Sequence, residues 1–335
     1  MQKTKLLLNI RFLGSMLLII FLMTSCQTEE KKPIIDMTPK PMKTVKVPAF
    51  NADSAYQFVK DQVDIGPRYP GSEGQKTCAD YLKGKLEGWA DNAMIQETTA
   101  VVPTGETVPV YNVIGVFNPD AKKRILLSAH WDTRPFADQD TERVNEPILG
   151  ANDGGSGVGV LLEIARILHQ DKLQKVGVDI ILWDVEDSGT SAAGSESYCK
   201  GSQFWARNPH VPNYKAAFGI NLDMVGAKDA IFYQEAYSLQ FASSIVRKVW
   251  QAAHMSGHGS HFPFESTGGV TDDHVFVNTI AGIPMIDIIQ FDSSLSNGFG
   301  SFWHTHDDNM DVISKKTLKA VGETVTRVVY EEDRK

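Results

Sequence analysis

The stretch that most constrains this chain is Ile180 to Gly189, Ile-Ile-Leu-Trp-Asp-Val-Glu-Asp-Ser-Gly. A short apolar run with the length of a buried strand feeds into two adjacent acids, Glu186 and Asp187, and then into a turn-forming Ser-Gly. In open α/β sheets, ligands bind in the crevice beyond the carboxyl ends of the strands, so carboxylates at such an end are placed to act on something. Taken alone, the pair could equally solvate a loop, because most acids are surface residues. The segments on either side decide between these readings.

Those segments alternate between the two periodicities. A helical stripe starts behind Asn51 or Asp53, with Ala55, Phe58, Val59 and Val63 on one face, and Gly66-Pro67 stops it. A second helix is expected over Gly74 to Leu86, then strands over Met94 to Val102 and Val108 to Phe117. Arg124 to Asp132 reads as a buried strand that runs out into polar residues at His130 and Asp132. Thr133 to Gly150 has no period and is longer than most connections, which marks a functional loop or one ordered by tertiary contacts. Asp153-Gly-Gly-Ser-Gly opens a periodic helix, strand Val178 to Asp184 follows, and then come a helix near Ser195 to Arg207 and a strand Ala217 to Asp223. A helix over Tyr237 to His254, a strand Pro284 to Ile289 and a helix from about Ser314 to Glu331 complete the pattern. Strands alternating with helices predict an α/β fold, a three-layer sandwich around a mixed, mostly parallel central sheet.

The N-terminus has a different character. Lys3, Lys5 and Arg11 precede an uncharged apolar run from Phe12 to Met23 and the small residues Thr24-Ser25, the layout of an export signal too short to span a membrane securely. Cys26 follows directly, as in the lipobox of bacterial lipoproteins, where the Cys is lipidated and becomes the mature N-terminus. Residues 1–25 are therefore expected to be a signal peptide and 26–49, with Pro33, Pro39 and Pro41, a flexible tether. Residues 50–335 then form a single folded domain, exported and lipid-anchored to a bacterial membrane, facing the periplasm. Only Cys78 and Cys199 remain in it, and sequence leaves open whether they pair or are simply buried. A net charge of -8 and the lack of a Lys/Arg cluster in the folded part argue against nucleic acid as a partner.

Five segments deliver a His or carboxylate to what would be one edge of the sheet. His130 and Asp132 end one strand, Asp153 opens a helix, Glu186 and Asp187 end the central strand, Asp223 ends another, and His304 lies in a late loop. Such a nitrogen and oxygen set suits zinc. Individually each has a plain alternative: Asp153 as a helix cap, His304 as a hydrogen-bonded surface residue.

Jointly, His130-Trp131-Asp132, Asn152-Asp153-Gly-Gly-Ser-Gly, Glu186-Asp187, Leu222-Asp223-Met-Val-Gly, Asp272-Asp273-His274 and Trp303-His304-Thr305 resemble, in order, the zinc aminopeptidase family M28 of peptidase clan MH. The resemblance covers about residues 51 to 335. In detail it is most similar to the glutaminyl-peptide cyclotransferases, which carry a Trp before the zinc-binding His, as Trp303 does here, and a doubled acid before a His. That resemblance implies one Zn2+ held by Asp153, Asp187 and His304, Glu186 as general acid and base, Asp223 and Asp272 as partners in its proton network, and Trp303 as an apolar wall of the substrate pocket. The implied partners are peptides or proteins with an N-terminal Gln, cyclised to pyroglutamate with release of ammonia.

Two departures matter. The family usually has Glu-Glu where this chain has Glu186-Asp187, so the ligand side chain is one methylene shorter. His130 and Asp223 match residues that hold a second zinc in the aminopeptidases, and with Asp132 they stand as second-metal ligands or as supports behind the first. A two-zinc aminopeptidase, and a non-catalytic binding lipoprotein on the same scaffold, are therefore the alternatives.

Overall fold

A computed structural model describes residues 46–335. The expected signal peptide, Cys26 and nearly all of the expected tether lie outside the described residues. Two helices come first, α1 (Ala52–Ile65) and α2 (Glu73–Glu87). Of the two candidate caps for α1 the chain uses Asn51, whose side chain accepts from the Asp53 and Ser54 N–H groups. Strands β1 (Asn92–Val101), β2 (Thr107–Phe117) and β3 (Lys123–His130) follow, then α3 (Ser156–Gln170), β4 (Val176–Trp183), α4 (Lys200–Arg207), β5 (Phe218–Asp223), α5 (Ala236–Met255), the short α6 (Asp273–Phe276), β6 (Met285–Ile289) and α7 (Lys315–Glu332).

The strand order is β1-β2-β4-β3-β5-β6. β1 and β2 are antiparallel to their neighbours, while β4, β3, β5 and β6 run parallel, so the sheet is mixed and mostly parallel as the alternation predicts. Side chains on successive strand residues point to opposite faces. On β3, Ile125, Leu127 and Ala129 join one large core with residues of α1, α2, α3, α5 and α7, whereas Leu126 joins a smaller core with Trp183, Trp205 and Val277 on the other face. Two helical layers thus enclose the sheet. Parallel alignment brings the carboxyl ends of β3, β4 and β5 to one edge, which is where His130, Asp184 to Asp187 and Asp223 stand.

One close approach sets the position of α3 against that edge. A side chain at Gly157 would place its Cβ 2.3 Å from the Leu222 carbonyl oxygen and 2.8 Å from the Ala129 Cβ. Only a glycine lets the first turn of α3 lie directly on β3 and β5, and Asp153 is delivered by the turns that enter this helix.

Elsewhere the differences from expectation are local. The helix expected near Ser195 to Arg207 is helical only over α4, and two short 3-10 turns, Ser191–Ala193 and Ser195–Ser197, precede it. Ser and Gly concentrate there, and such residues favour turns over helix interiors. Asp153 is not a helix cap, since α3 begins at Ser156 behind Gly155 with no side-chain cap. Cys78 and Cys199 are both free and buried rather than paired. Among the described residues no helix is long and apolar enough to cross a membrane.

Candidate active site

The carboxyl edge of the sheet opens into a cavity of about 430 Å3 bordered by Asp153, Glu186, Asp187, Asp223, Asp272, Trp303 and His304, with Tyr198, Val270 and Phe299 adding apolar surface. Seven of the nine site residues expected from sequence therefore border one space. The other two, His130 and Asp132, are buried behind it.

Asp153, Asp187 and His304 each offer a ligand atom, and these atoms lie within 4.8 Å of one another. His304 Nε2 is 3.3 Å from Asp187 Oδ1 and 3.8 Å from Asp153 Oδ2. Asp187 Oδ2 is buried without a hydrogen-bond partner, an arrangement that is costly unless a cation completes it. One imidazole and two carboxylates suit zinc, and the open side of the triad faces the cavity, as a catalytic zinc requires. The residues present thus fit the metal. Burial would lower the proton affinity of His304, but Asp187 and Asp138 outweigh it and push the imidazole up to about 9. A bound cation takes the place of that proton.

The backbone carrying these ligands is held by two carboxylates in the same way. Asp132 accepts from the Glu186 N–H through Oδ1 (2.9 Å) and from the Asp187 N–H through Oδ2 (3.1 Å). Asp308 accepts from the Asn152 N–H through Oδ1 (2.7 Å) and from the Asp153 N–H through Oδ2 (3.0 Å). Both acids are fully buried, so each bond is made in a low dielectric where it is strong. Asp132 is therefore a support for the acid pair.

His130 stands among three carboxylates. Its Nε2 lies 3.1 Å from Asp223 Oδ1 and 3.2 Å from Asp153 Oδ1, and its Nδ1 is 3.5 Å from Asp132 Oδ1. Burial opposes its charged form, yet the three acids raise its proton affinity well above the ordinary histidine range. Asp223 thus has His130, not Glu186, as its hydrogen-bond partner. Burial foremost lifts its pKa to about 7. Asp272, by contrast, has an oxygen within 4.8 Å of one on Glu186, and Asn221 Nδ2 donates to its Oδ2 at 2.6 Å.

Glu186 has the proton affinity that acid-base work needs. Burial raises its pKa well above the carboxylate range, and the negative charges of Asp187, Asp272 and Asp273 add to this against the opposing His130. Its neighbour moves the other way: although burial would raise Asp187, His304 and Arg134 lower it. Two adjacent carboxyls are pushed apart in pKa by their surroundings, the pattern of an acid-base residue beside a ligand.

Sequence gave no role to Arg134, Asp138, Asp308 or Cys199. The unpatterned loop after β3 turns out to be ordered by contacts to the site. Arg134 Nη1 donates to the Asp187 and Gly189 carbonyls (2.9 and 2.8 Å), and its Nη2 donates to Asp138 Oδ2 (2.8 Å). Asp138 Oδ1 in turn meets His304 Nδ1 at 2.9 Å, and the Gln139 N–H donates to the His304 carbonyl. His304 sits at φ 56, a left-handed conformation that a non-glycine residue adopts only when its surroundings impose it. Its ring also stacks on Trp303 at a centroid distance of 3.7 Å. Nε2 is thereby turned to the cavity. Carboxylates behind metal-binding histidines typically contribute about 10- to 100-fold in affinity. Asp138→Asn is accordingly expected to weaken zinc binding by about that factor while leaving turnover at saturating zinc nearly intact, which a competition titration against a chromogenic chelator checks.

The profile of peptidase family M28 matches residues 112–329. The crystal structure of a glutaminyl cyclase from Bacteroides thetaiotaomicron, bound to N-acetylhistamine, is 49% identical, with a TM-score of 0.82, covering 85% of this chain and 99% of that one. A Zn-dependent exopeptidase from Parabacteroides distasonis is 48% identical with a TM-score of 0.83 over the same shares. Glutaminyl-peptide cyclotransferase of Gloydius blomhoffii is 25% identical over 309 residues, covering 81% of this chain and 80% of its own length. The chain belongs to peptidase family M28.

Proposed function

We propose that the chain is a zinc-dependent glutaminyl cyclase that converts the N-terminal glutamine of peptides and proteins to pyroglutamate with release of ammonia. The observation that carries this is Glu186, a carboxyl of raised proton affinity bordering the same small aromatic-walled cavity as the Asp153-Asp187-His304 triad. Near-half identity to a glutaminyl cyclase over almost the whole of that structure supports it.

In the reaction the substrate's α-amine attacks its own γ-carboxamide carbon, the C–N bond to the amide nitrogen breaks, and ammonia leaves. Asp153, Asp187 and His304 would hold the zinc, which would supply a Lewis acid for the carboxamide oxygen. Glu186 takes a proton from the attacking amine and passes it to the departing nitrogen. Asp272 beside it keeps that proton affinity high, while Asp223, held through His130, acts on Glu186 only at one remove. Trp303, stacked on His304 and packed against Phe299 at 4.6 Å, forms the apolar wall that excludes water from the reacting amide.

A two-zinc aminopeptidase is the second reading, because His130, Asp153 and Asp223 also form a group able to hold a cation. The likeness to glutaminyl cyclases over most of the chain favours the cyclase. Adding zinc back to chelator-treated protein separates the two. Ammonia release from a Gln-initiated dipeptide should reach its maximum at one zinc per chain; a requirement for two, with hydrolysis of the peptide bond, would establish the aminopeptidase.

The same reading extends to location. The basic, apolar and small-residue succession before Cys26 supports export and lipid anchoring at that residue, facing the periplasm, with no role for nucleic acid. Labelled fatty acid should enter the full-length protein in bacterial cells and be lost with Cys26→Ser; equal labelling of both proteins would exclude it.

A further inference from the structure

Behind the acid pair, Cys199 to Gly201 runs along Asp184 to Glu186. The Cys199 N–H donates to the Glu186 carbonyl (2.9 Å), Lys200 N–H to that of Val185 (2.8 Å), and Gly201 N–H to that of Asp184 (3.0 Å). A Cβ at Gly201 would lie 2.3 Å from the Asp184 oxygen, so the two segments touch main chain to main chain. Both segments contain a strained residue: Val185 at φ 56, unusual for a β-branched side chain, and Cys199 at φ 54. Strain of this kind persists only where surrounding structure over-determines it, and it concentrates at functional sites.

From this paired segment the Cys199 Sγ reaches Glu186 Oε1 at 3.1 Å. Among the described residues it is the one side chain that hydrogen-bonds the Glu186 carboxyl. Oε2 has no protein hydrogen-bond partner among the described residues, and Glu186 borders the cavity. Cys199 itself is fully buried, and its surroundings keep it a donor: burial first, then the negative charge of Glu186, hold the thiol protonated.

We propose that Cys199 is a positioning residue for proton transfer, its S–H fixing one oxygen of Glu186 so that the other meets the substrate amine and the leaving nitrogen. This rests on the assignment of Glu186 as proton carrier. A carboxyl free to rotate about its last bond spends part of its time with neither oxygen aligned, which lowers turnover without weakening binding.

Cys199→Ser and Cys199→Ala test this, because all three residues carry a Cβ and bear the same left-handed backbone. Serine retains a donor and is expected to keep kcat within about threefold; alanine is expected to lose about tenfold in kcat, with KM, zinc content and Tm essentially unchanged. Added to Glu186→Gln, Cys199→Ala should have no further effect. Parental kcat in Cys199→Ala, equal losses in both variants, a loss confined to KM or zinc content, or a further loss in the double variant would each overturn the proposal. If Cys199→Ala does not fold, Cys199→Gly, which removes the thiol and relieves the backbone, decides in its place. Should the parent cleave peptides instead of cyclising them, the cyclase reading fails, and the same kcat comparison on cleavage still decides the role of Cys199.

Discussion

Glu186→Gln protein is expected to bind zinc as the parent does and to turn over Gln-initiated peptides about 10² to 10⁴ times more slowly, the usual contribution of a positioned general acid-base group. The substitution keeps size and shape but removes the ionisable carboxyl that takes up and gives back the proton. None of the three residues proposed to hold the metal is touched, and the Glu186 N–H still donates to Asp132, so the acid-pair backbone stays in place. The loss should fall on kcat, because Glu186 acts on protons in flight and contributes little to holding the ground-state peptide. Single-turnover kinetics with metal analysis of the same sample reads both quantities. Loss of zinc along with activity would mean that Glu186 is a ligand and that the roles of the adjacent acids are misassigned.

Asp187→Ala should give the complementary result, losing zinc and activity together. Aspartate here is one methylene shorter than the family's usual glutamate, and the structure shows how the chain accommodates it. Asp132 holds the Asp187 N–H, and Arg134 holds the Asp187 carbonyl and also approaches Oδ1 at 3.3 Å. The backbone is thus fixed at both sides of the ligand residue, and the short side chain already lies 3.3 Å from His304 Nε2. Removing the carboxylate takes away one of the three proposed metal ligands and leaves the buried Arg134 with one fewer acid. The fall in zinc affinity should exceed the about 10- to 100-fold that follows changes behind a ligand. Equilibrium dialysis against buffered zinc measures it, and parental stoichiometry in Asp187→Ala would show that the metal rests elsewhere.

Strand ends are what made the site legible in the sequence. A parallel sheet delivers the residue after each strand to one edge, so His130, Glu186, Asp187 and Asp223, with Asp153 at a helix start and His304 in a late loop, group by position, and Asp272 and Trp303 join them by resemblance. The supports were not legible, because their work depends on tertiary contacts that no local pattern encodes. Asp308 reaches back to the Asn152 and Asp153 N–H groups across more than a hundred and fifty residues, and Asp138 meets His304 across 166. The resemblance implies Asp223 as a partner of Glu186, but motif order does not reveal which neighbour a carboxyl faces, and Asp223 faces His130. Cys199 lay in a stretch read as continuous helix, and only the turns before α4 bring its thiol to Glu186.

One zinc site and one proton carrier, as proposed, convert an N-terminal glutamine to a ring without cutting the chain. Mass spectrometry of a Gln-initiated tripeptide, incubated with the zinc-loaded protein and with Glu186→Gln, tests it most directly. The parent protein should yield a single product lighter by one ammonia, and Glu186→Gln should leave the peptide unchanged over the same interval. Free glutamine together with a shortened peptide would show an aminopeptidase instead of a cyclase.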